Sequence, residues 1–208
     1  MKKNIFLKVI AIIWAISGVV ILIGVMWPII SYKALSEGNN QDLLNPVVDL
    51  TKARNWFVGG EESSAFSRSK VSYYNLSVPK LKIKDAVVAI GGEDLSENLI
   101  QYPGTALPGK KGNSVIFGHS VLPIFYDPKK YISIFSTLPT LKIGDDILIN
   151  YDNVSFKYRV ESMFEVYPTD IQVLQQDNSD SFLTLVTCVP PGDPRKPRRL
   201  IVRARIVP

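Results

Sequence analysis

Cys188 is the only cysteine of the chain and closes the strand-like run Thr184-Leu185-Val186-Thr187, shortly before the basic stretch Arg195, Lys196, Arg198 and Arg199. A lone thiol beside fixed positive charge is a candidate nucleophile. The thiolate is the reactive form, and a nearby cation lowers the free thiol's pKa of about 8.5. The competing reading is a small buried hydrophobe, the ordinary fate of an unpaired cysteine. A proton carrier and an oxyanion donor converging on the sulfur would decide between them.

His119, the only histidine, ends the apolar run Ser114-Val115-Ile116-Phe117-Gly118. Imidazole is the usual proton carrier near neutral pH, and a strand end after glycine lets the ring reach a groove. Taken alone, a single histidine is as readily structural. In the last strand-like segment, alternation separates Leu200, Val202, Ala204 and Ile206 from Arg199, Ile201, Arg203 and Arg205. The first set reads as the core face, so Arg199 points away from the packed interior and Arg198 shares the apolar face. An arginine so placed can donate to a carbonyl or an oxyanion, where one good donor contributes roughly 3 kcal/mol. Its alternative is a solvated surface charge.

The elements that must position these groups are short strands punctuated by Pro and Gly, which predict an all-β domain over residues 71–208. Strands are expected at Tyr73 to Ile83 with a break near Pro79, and at Ala86 to Ile90, Ser114 to His119, Asp146 to Tyr151, Ser155 to Tyr167, Ser181 to Cys188 and Arg199 to Val207. Tyr151-Asp152-Asn153 suits a tight hairpin. Helical turns are expected around Ile132 to Leu138 and Asp170 to Gln175. Evenly spaced strands with little helix favour a closed or nearly closed barrel, which removes exposed edges.

Ahead of this domain, Val9 to Ile30 carries no charge. A run of about 20 apolar residues can cross a hydrocarbon core roughly 30 Å thick. Lys2, Lys3 and Lys8 precede it and only Lys33 follows closely, so residues 1–31 read as a cytoplasmic N-terminus and a transmembrane anchor, with the rest outside the cell. A cleavable signal peptide shares the basic start, but no clear small-residue cleavage site follows. Residues 32–70 read as an extracytoplasmic stalk. Within it Asn45-Pro46 can open a short helix with Val47, Leu50, Arg54 and Phe57 on one stripe and Gly59-Gly60 at its end, and Trp56 and Phe57 could dock on the domain or on lipid. The net charge of +5 sits largely in the C-terminal arginines and lysine. Outside a membrane that charge serves an anionic ligand, a thiolate or solubility better than nucleic acid.

Thr184-Leu185-Val186-Thr187-Cys188 resembles the TLxTC signature of sortases, cysteine transpeptidases that attach proteins to bacterial cell walls or polymerise pilins. In family order, Asn113 to His119 resembles the strand ending in the catalytic histidine, and Arg199 to Ala204 the strand carrying the arginine. Weaker pieces are Tyr102-Pro103-Gly104-Thr105 with Pro108-Gly109, and Leu141 to Asp145; together the matches cover roughly residues 78–207.

The resemblance implies an eight-stranded β-barrel with short helical connections, Cys188 closing the seventh strand and Arg199 opening the eighth. It implies catalysis by Cys188, His119 and Arg199. Thr187 either orients the site or is present for β propensity. The implied reaction is cleavage after threonine in an LPXTG-like surface-protein signal through a thioacyl intermediate, then transfer to an amine of a lipid-linked peptidoglycan precursor or a pilin lysine. Water would resolve the same intermediate in a hydrolytic cysteine peptidase, and a non-catalytic domain binding an anionic wall polymer would need no thiol. Certain members bind calcium; Glu161, Glu165, Asp170, Asp177 and Asp180 show no ligand spacing, so no metal or other cofactor is expected. No second span follows the last strand, and Asp127-Pro128 does not resemble an occluding lid. Both favour an anchoring enzyme over a dedicated pilus polymerase.

Overall fold

Strands form where the sequence alternates or runs uniformly apolar between turn residues. The computed structural model describes residues 49–59, 72–193 and 195–208, together with residues 14, 17 and 18, and Asp49–Pro208 is one unit. Its strands are β1 (Ser72–Val78), β2 (Ile83–Ile90), β3 (Leu99–Gln101), β4 (Gly112–Phe117), β5 (Asp146–Tyr151), β6 (Val154–Val166), β7 (Ser181–Val189) and β8 (Arg198–Val207). They close into a barrel in the order β1-β2-β3-β4-β7-β8-β6-β5. The pairs β2–β3 and β4–β7 are parallel and the others antiparallel.

The eight-stranded all-β barrel implied by the resemblance is thus present, with short 3-10 turns in its connections. The expected break at Pro79 is the 3-10 turn Pro79–Leu81, after which β2 begins at Ile83, earlier than predicted. Asp85 at φ 50 disguises that start. β3 escaped the pattern because three residues cannot show a period. Asp152 and Asn153 both take positive φ, which makes the β5–β6 connection a type I′ hairpin turn. The second expected helical turn is Ile171–Leu174; near the first, the 3-10 turn falls later, at Leu138–Thr140.

Successive strand residues face opposite sides of the barrel wall. Leu183, Leu185, Leu200, Val202 and Ala204 join Leu76, Val88, Ile116, Ile147 and Tyr158 in the interior core. Their sequence neighbours Val186, Cys188 and Ile201 join Val115 and Phe117 in a second core on the outer wall. Strand β7 is therefore buried on both faces throughout, as befits a strand flanked by a parallel and an antiparallel neighbour.

The outer core is completed by Ala53, Trp56 and Phe57. Sequence reading assigned this segment to the stalk; residues 49–59 instead pack on the barrel. Only Ala53–Trp56 is helical there, as a single 3-10 turn, so the longer amphipathic helix is absent from the described part of the segment. Packing against a preformed wall overrides the helical stripe. Of the two dockings open to Trp56, domain or lipid, the structure shows the domain. The apolar run Val9 to Ile30 lies almost wholly outside the described residues; among those described, no helix is long and apolar enough to cross a membrane.

Gly118 leads from β4 to His119 beneath a crowded roof. A Cβ there would lie 2.4 Å from Phe135 Cδ2 and 2.6 Å from Leu99 Cδ2. Gly118→Ala must displace one of these buried side chains, so a loss of about 1–3 kcal/mol is expected in urea unfolding. An unchanged midpoint would show that the roof yields freely.

Candidate active site

The site is assembled by register. In the parallel β4–β7 ladder Phe117 faces Val186, and one step further the Gly118 amide donates to the Val186 carbonyl at 3.1 Å. In the antiparallel β7–β8 ladder Cys188 faces Arg199 directly. The central strand thus carries the thiol, with His119 just beyond the end of the strand on one side and Arg199 near the start of the strand on the other, directly paired with Cys188. Three side chains separated by 11 to 80 positions in sequence share one wall because three strands are in register.

Two buried hydroxyls fix the junction where β4 and β7 end. Thr187 Oγ1 donates to the Gly118 carbonyl at 2.8 Å, and Ser120 Oγ donates to the Cys188 carbonyl at 2.7 Å. They clamp the residues on either side of His119 to the cysteine strand. Thr187 thus sits where an orienting residue would. Ser120 was missed in the sequence, since a serine after histidine carries no signal of its own.

Parity placed Arg199 off the barrel interior, and it is. The wall it occupies is nonetheless closed to solvent: Cys188, His119 and Arg199 are 1%, 2% and 2% exposed. The 49–59 segment packs over His119 and Arg199. Trp56 stacks on Phe117 at 5.3 Å between ring centroids, lies 5.9 Å from the His119 ring, and receives the Arg199 guanidinium 5.5 Å from its own ring. Arg199 Nε also donates to the Trp56 carbonyl at 3.2 Å, and its Nη1 donates to the Lys196 and Arg198 carbonyls at 2.8 and 3.2 Å. An aromatic within a polar stretch was the sequence signal that pointed to this contact.

Burial governs the electrostatics. It pushes the Cys188 thiol upward, and the charges of Arg199 and Lys196 only partly offset this. The sequence expectation that neighbouring cations lower the thiol is therefore outweighed by desolvation. His119 falls to about 4, chiefly through burial and then through Lys196, against a smaller upward pull from Asp94 and Asp49. Burial also lowers Arg199, opposed by Cys188. In this covered state the thiol and imidazole are both neutral at pH 7. His119 Nε2 is buried with no hydrogen-bond partner, an unsatisfied atom that costs on the order of 1–3 kcal/mol.

The acidic residues ahead of β7 are otherwise engaged. Glu161 pairs with Arg203 and Arg205, Glu165 with Arg198, Asp177 with Arg203 and Asp180 with Arg205, while Asp170 accepts from the Tyr167 amide. Among the described residues no group of three or more His, Cys, Asp or Glu is placed to hold a metal ion.

Comparison with known proteins gives a match to the Sortase domain family over residues 76–207. The chain is 31% identical to sortase A of Staphylococcus aureus (strain NCTC 8325 / PS 47) over 139 residues, 59% of this chain and 64% of that one. It spans less than two thirds of the length of the curated relatives it matches. Among solved structures, a Clostridium perfringens sortase D5 transpeptidase superposes with a TM-score of 0.55 at 28% identity, covering 65% of this chain and 79% of that one. Sortase C of Clostridium perfringens, solved with the C-terminal cell wall sorting motif, gives 0.54 at 25% identity over 65% and 69%.

A histidine held near 4 rather than its ordinary 6.5 links folding to pH. Between those values the unfolded chain binds a proton that the folded chain excludes, so this contribution is complete above pH 6.5 and is lost as pH falls toward 4. The loss amounts to about 3 kcal/mol across the window. Urea unfolding at pH 7 and pH 5 should show the decline, and His119→Asn should flatten it; an equally steep decline in that variant would place its origin elsewhere.

Proposed function

The chain belongs to the sortase family, and from that premise we propose that it is a membrane-anchored cysteine transpeptidase that cleaves an LPXTG-like sorting signal after threonine. The acyl group passes to an amine, from a lipid-linked peptidoglycan precursor or a pilin lysine. The observation that carries the reading is the register that sets Cys188 opposite Arg199 and beside the strand leading to His119.

Each group has one task. Cys188 gives its proton to His119 and attacks the threonine carbonyl, forming a tetrahedral intermediate whose oxyanion Arg199 stabilises. The imidazolium protonates the departing glycine amine as the C–N bond breaks, leaving a thioacyl enzyme. The acceptor amine then attacks that carbonyl, His119 takes its proton, and the thiolate departs to recover the proton. Arg199 suits the oxyanion role because its hydrogen bonds go to backbone carbonyls, and among the described residues no carboxylate pairs with it. Thr187, with Ser120 beside it, is a positioning residue: its hydroxyl fixes the peptide before His119.

The apolar Val9 to Ile30 run anchors the enzyme with its N-terminus in the cytoplasm and the barrel on the cell surface. No cofactor enters these steps.

Cys188→Ala, His119→Ala and Arg199→Ala should each lower turnover of an LPXTG-like peptide by about two or more orders of magnitude, measured by product chromatography with an added amine. Near-parental turnover in any one removes that residue from the chemistry. A product mixture that contains no amide and ignores millimolar amine would identify a hydrolase instead. Thr187→Val should lower kcat with little change in KM, since it disturbs placement and not peptide binding; a pure KM effect would contradict its positioning role.

A further inference from the structure

The connection that follows His119 carries an apolar tip that the chemistry leaves unused. Leu122, Ile124 and Phe125 are 48, 81 and 65% exposed, three large apolar side chains within four residues. They are held in place. Pro123–Phe125 is a 3-10 turn in which the Phe125 amide donates to the Leu122 carbonyl at 2.9 Å and the Tyr126 amide to the Pro123 carbonyl at 3.1 Å. None of the three joins either core. Apolar residues exposed singly are ordinary, whereas three held together in water mark a contact surface.

The tip stands at the active-site end of the barrel. The strand directions make β1, β4 and β7 all finish there, so that end carries the β1–β2, β4–β5 and β7–β8 connections. These three connections touch one another. Tyr126 Oη donates to the Leu81 carbonyl in the β1–β2 turn, and Leu122 lies against Gly192 of the β7–β8 connection, where an added Cβ would sit 2.5 Å from Leu122 Cγ. Ser120, two residues before Leu122, is bonded to the Cys188 carbonyl. The tip is thus fixed to the strand that carries the thiol.

Charge surrounds it with one sign. The three carboxylates of those connections are all taken: Asp127 by Lys130, Asp145 by Lys80 and Asp193 by Arg195. Lys82, Lys129 and Lys142 are exposed, and among the described residues none of them pairs with a carboxylate. Ile143, 72% exposed beside Lys142, adds a further apolar side chain at this end. An apolar tip among unneutralised lysines is complementary to a bilayer surface, which offers acyl chains to the first and anionic headgroups to the second.

We propose that Leu122–Phe125 is a membrane-inserting tip and that, with Lys82, Lys129 and Lys142, it seats the active-site end of the barrel on an anionic lipid surface. The end of β7 that bears Cys188 then faces the layer in which a lipid-linked amine would lie. The seat rests on Val9 to Ile30 being the membrane anchor proposed above. Only residues 31–48 separate that run from Asp49, and 18 residues span at most about 65 Å when fully extended, so the barrel stays beside the bilayer at high local concentration.

The test uses the full chain in lipid nanodiscs of phosphatidylcholine with or without phosphatidylglycerol. In a Cys188→Ala background, a nitrobenzoxadiazole maleimide is placed on Phe125→Cys, on Ile124→Cys or, at the opposite end of the barrel, on Val154→Cys. A nitroxide on the lipid acyl chain near its carbonyl is the quencher. In discs with phosphatidylglycerol, quenching at 124 and 125 should exceed that at 154 by about threefold or more. It should fall by about half or more in phosphatidylcholine alone, and equally when Lys82→Gln, Lys129→Gln and Lys142→Gln are combined.

Equal quenching at 125 and 154 overturns the proposal, and so does quenching at the tip that ignores both lipid charge and the lysine substitutions. Blue-shifted but unquenched emission at 124 and 125 shows a second copy covering the tip and overturns it too. If one labelled variant does not fold, the other tip position decides. A chain that fails to co-elute with the discs sinks the anchor and the seat together, while a chain retained by the discs with unquenched tip probes sinks the seat alone. No readout uses the thiol or turnover, so none depends on the transpeptidase chemistry.

Discussion

The chemistry of this protein depends on one constraint: β7 is hydrogen-bonded to β4 on one side and to β8 on the other, in a fixed register. A strand has a side-chain period of two, so a slip by one residue against either neighbour would turn Cys188 into the barrel and Thr187 outward. Leu183 and Leu185 in the interior core prevent that slip, because it would expose both to the outer wall. The packing of the barrel and the position of the sulfur are thus the same fact. The hydroxyls of Thr187 and Ser120 extend this control past the last ladder bonds, where β4 has ended and the chain turns to present His119.

A second consequence is electrostatic. Neighbouring cations alone would favour the thiolate, yet in the covered state desolvation dominates and both Cys188 and His119 are held neutral. The charge of Lys196 acts on both groups: it lowers the thiol and lowers the imidazole, so it favours a thiolate and opposes an imidazolium. Water entering the groove weakens the desolvation that opposes both charged forms, while Arg199 stays beside the sulfur through the β7–β8 pair. The covered site is chemically quiet for a physical reason, and uncovering it moves both groups toward their reactive forms.

Much of this was legible in the sequence. The alternation of Leu200, Val202 and Ala204 with Arg199 and Ile201 gave the correct faces of β8, and Asp152-Asn153 gave the hairpin. Strand β3 was illegible because three residues carry no period, and the start of β2 was hidden by the positive φ of Asp85. The placement of residues 49–59 was partly legible. The stripe Val47, Leu50, Arg54 and Phe57 suggested a helix that packing on the wall overrides, while Trp56 and Phe57 pointed to docking on the domain or on lipid. The burial of the three site residues was not legible, because it depends on how segments distant in sequence pack over the wall.

The segment 49–59 holds its place on the outer wall against an entropic cost. Fixing each of its residues costs about 1–2 kcal/mol of backbone entropy, and its half-buried residues return little of it. Most of the return comes from Trp56, whose fully buried indole contributes a few kcal/mol through area alone and packs on Phe117 besides. The barrel ladders and interior core close without residues 49–59, whereas the outer core on the wall beneath includes Ala53, Trp56 and Phe57. Backbone hydrogen bonds of Thr51, Ala53 and Val58, the Arg54–Glu93 pair and buried Ala53 and Phe57 add to what Trp56 supplies, so the segment is built into the outer core.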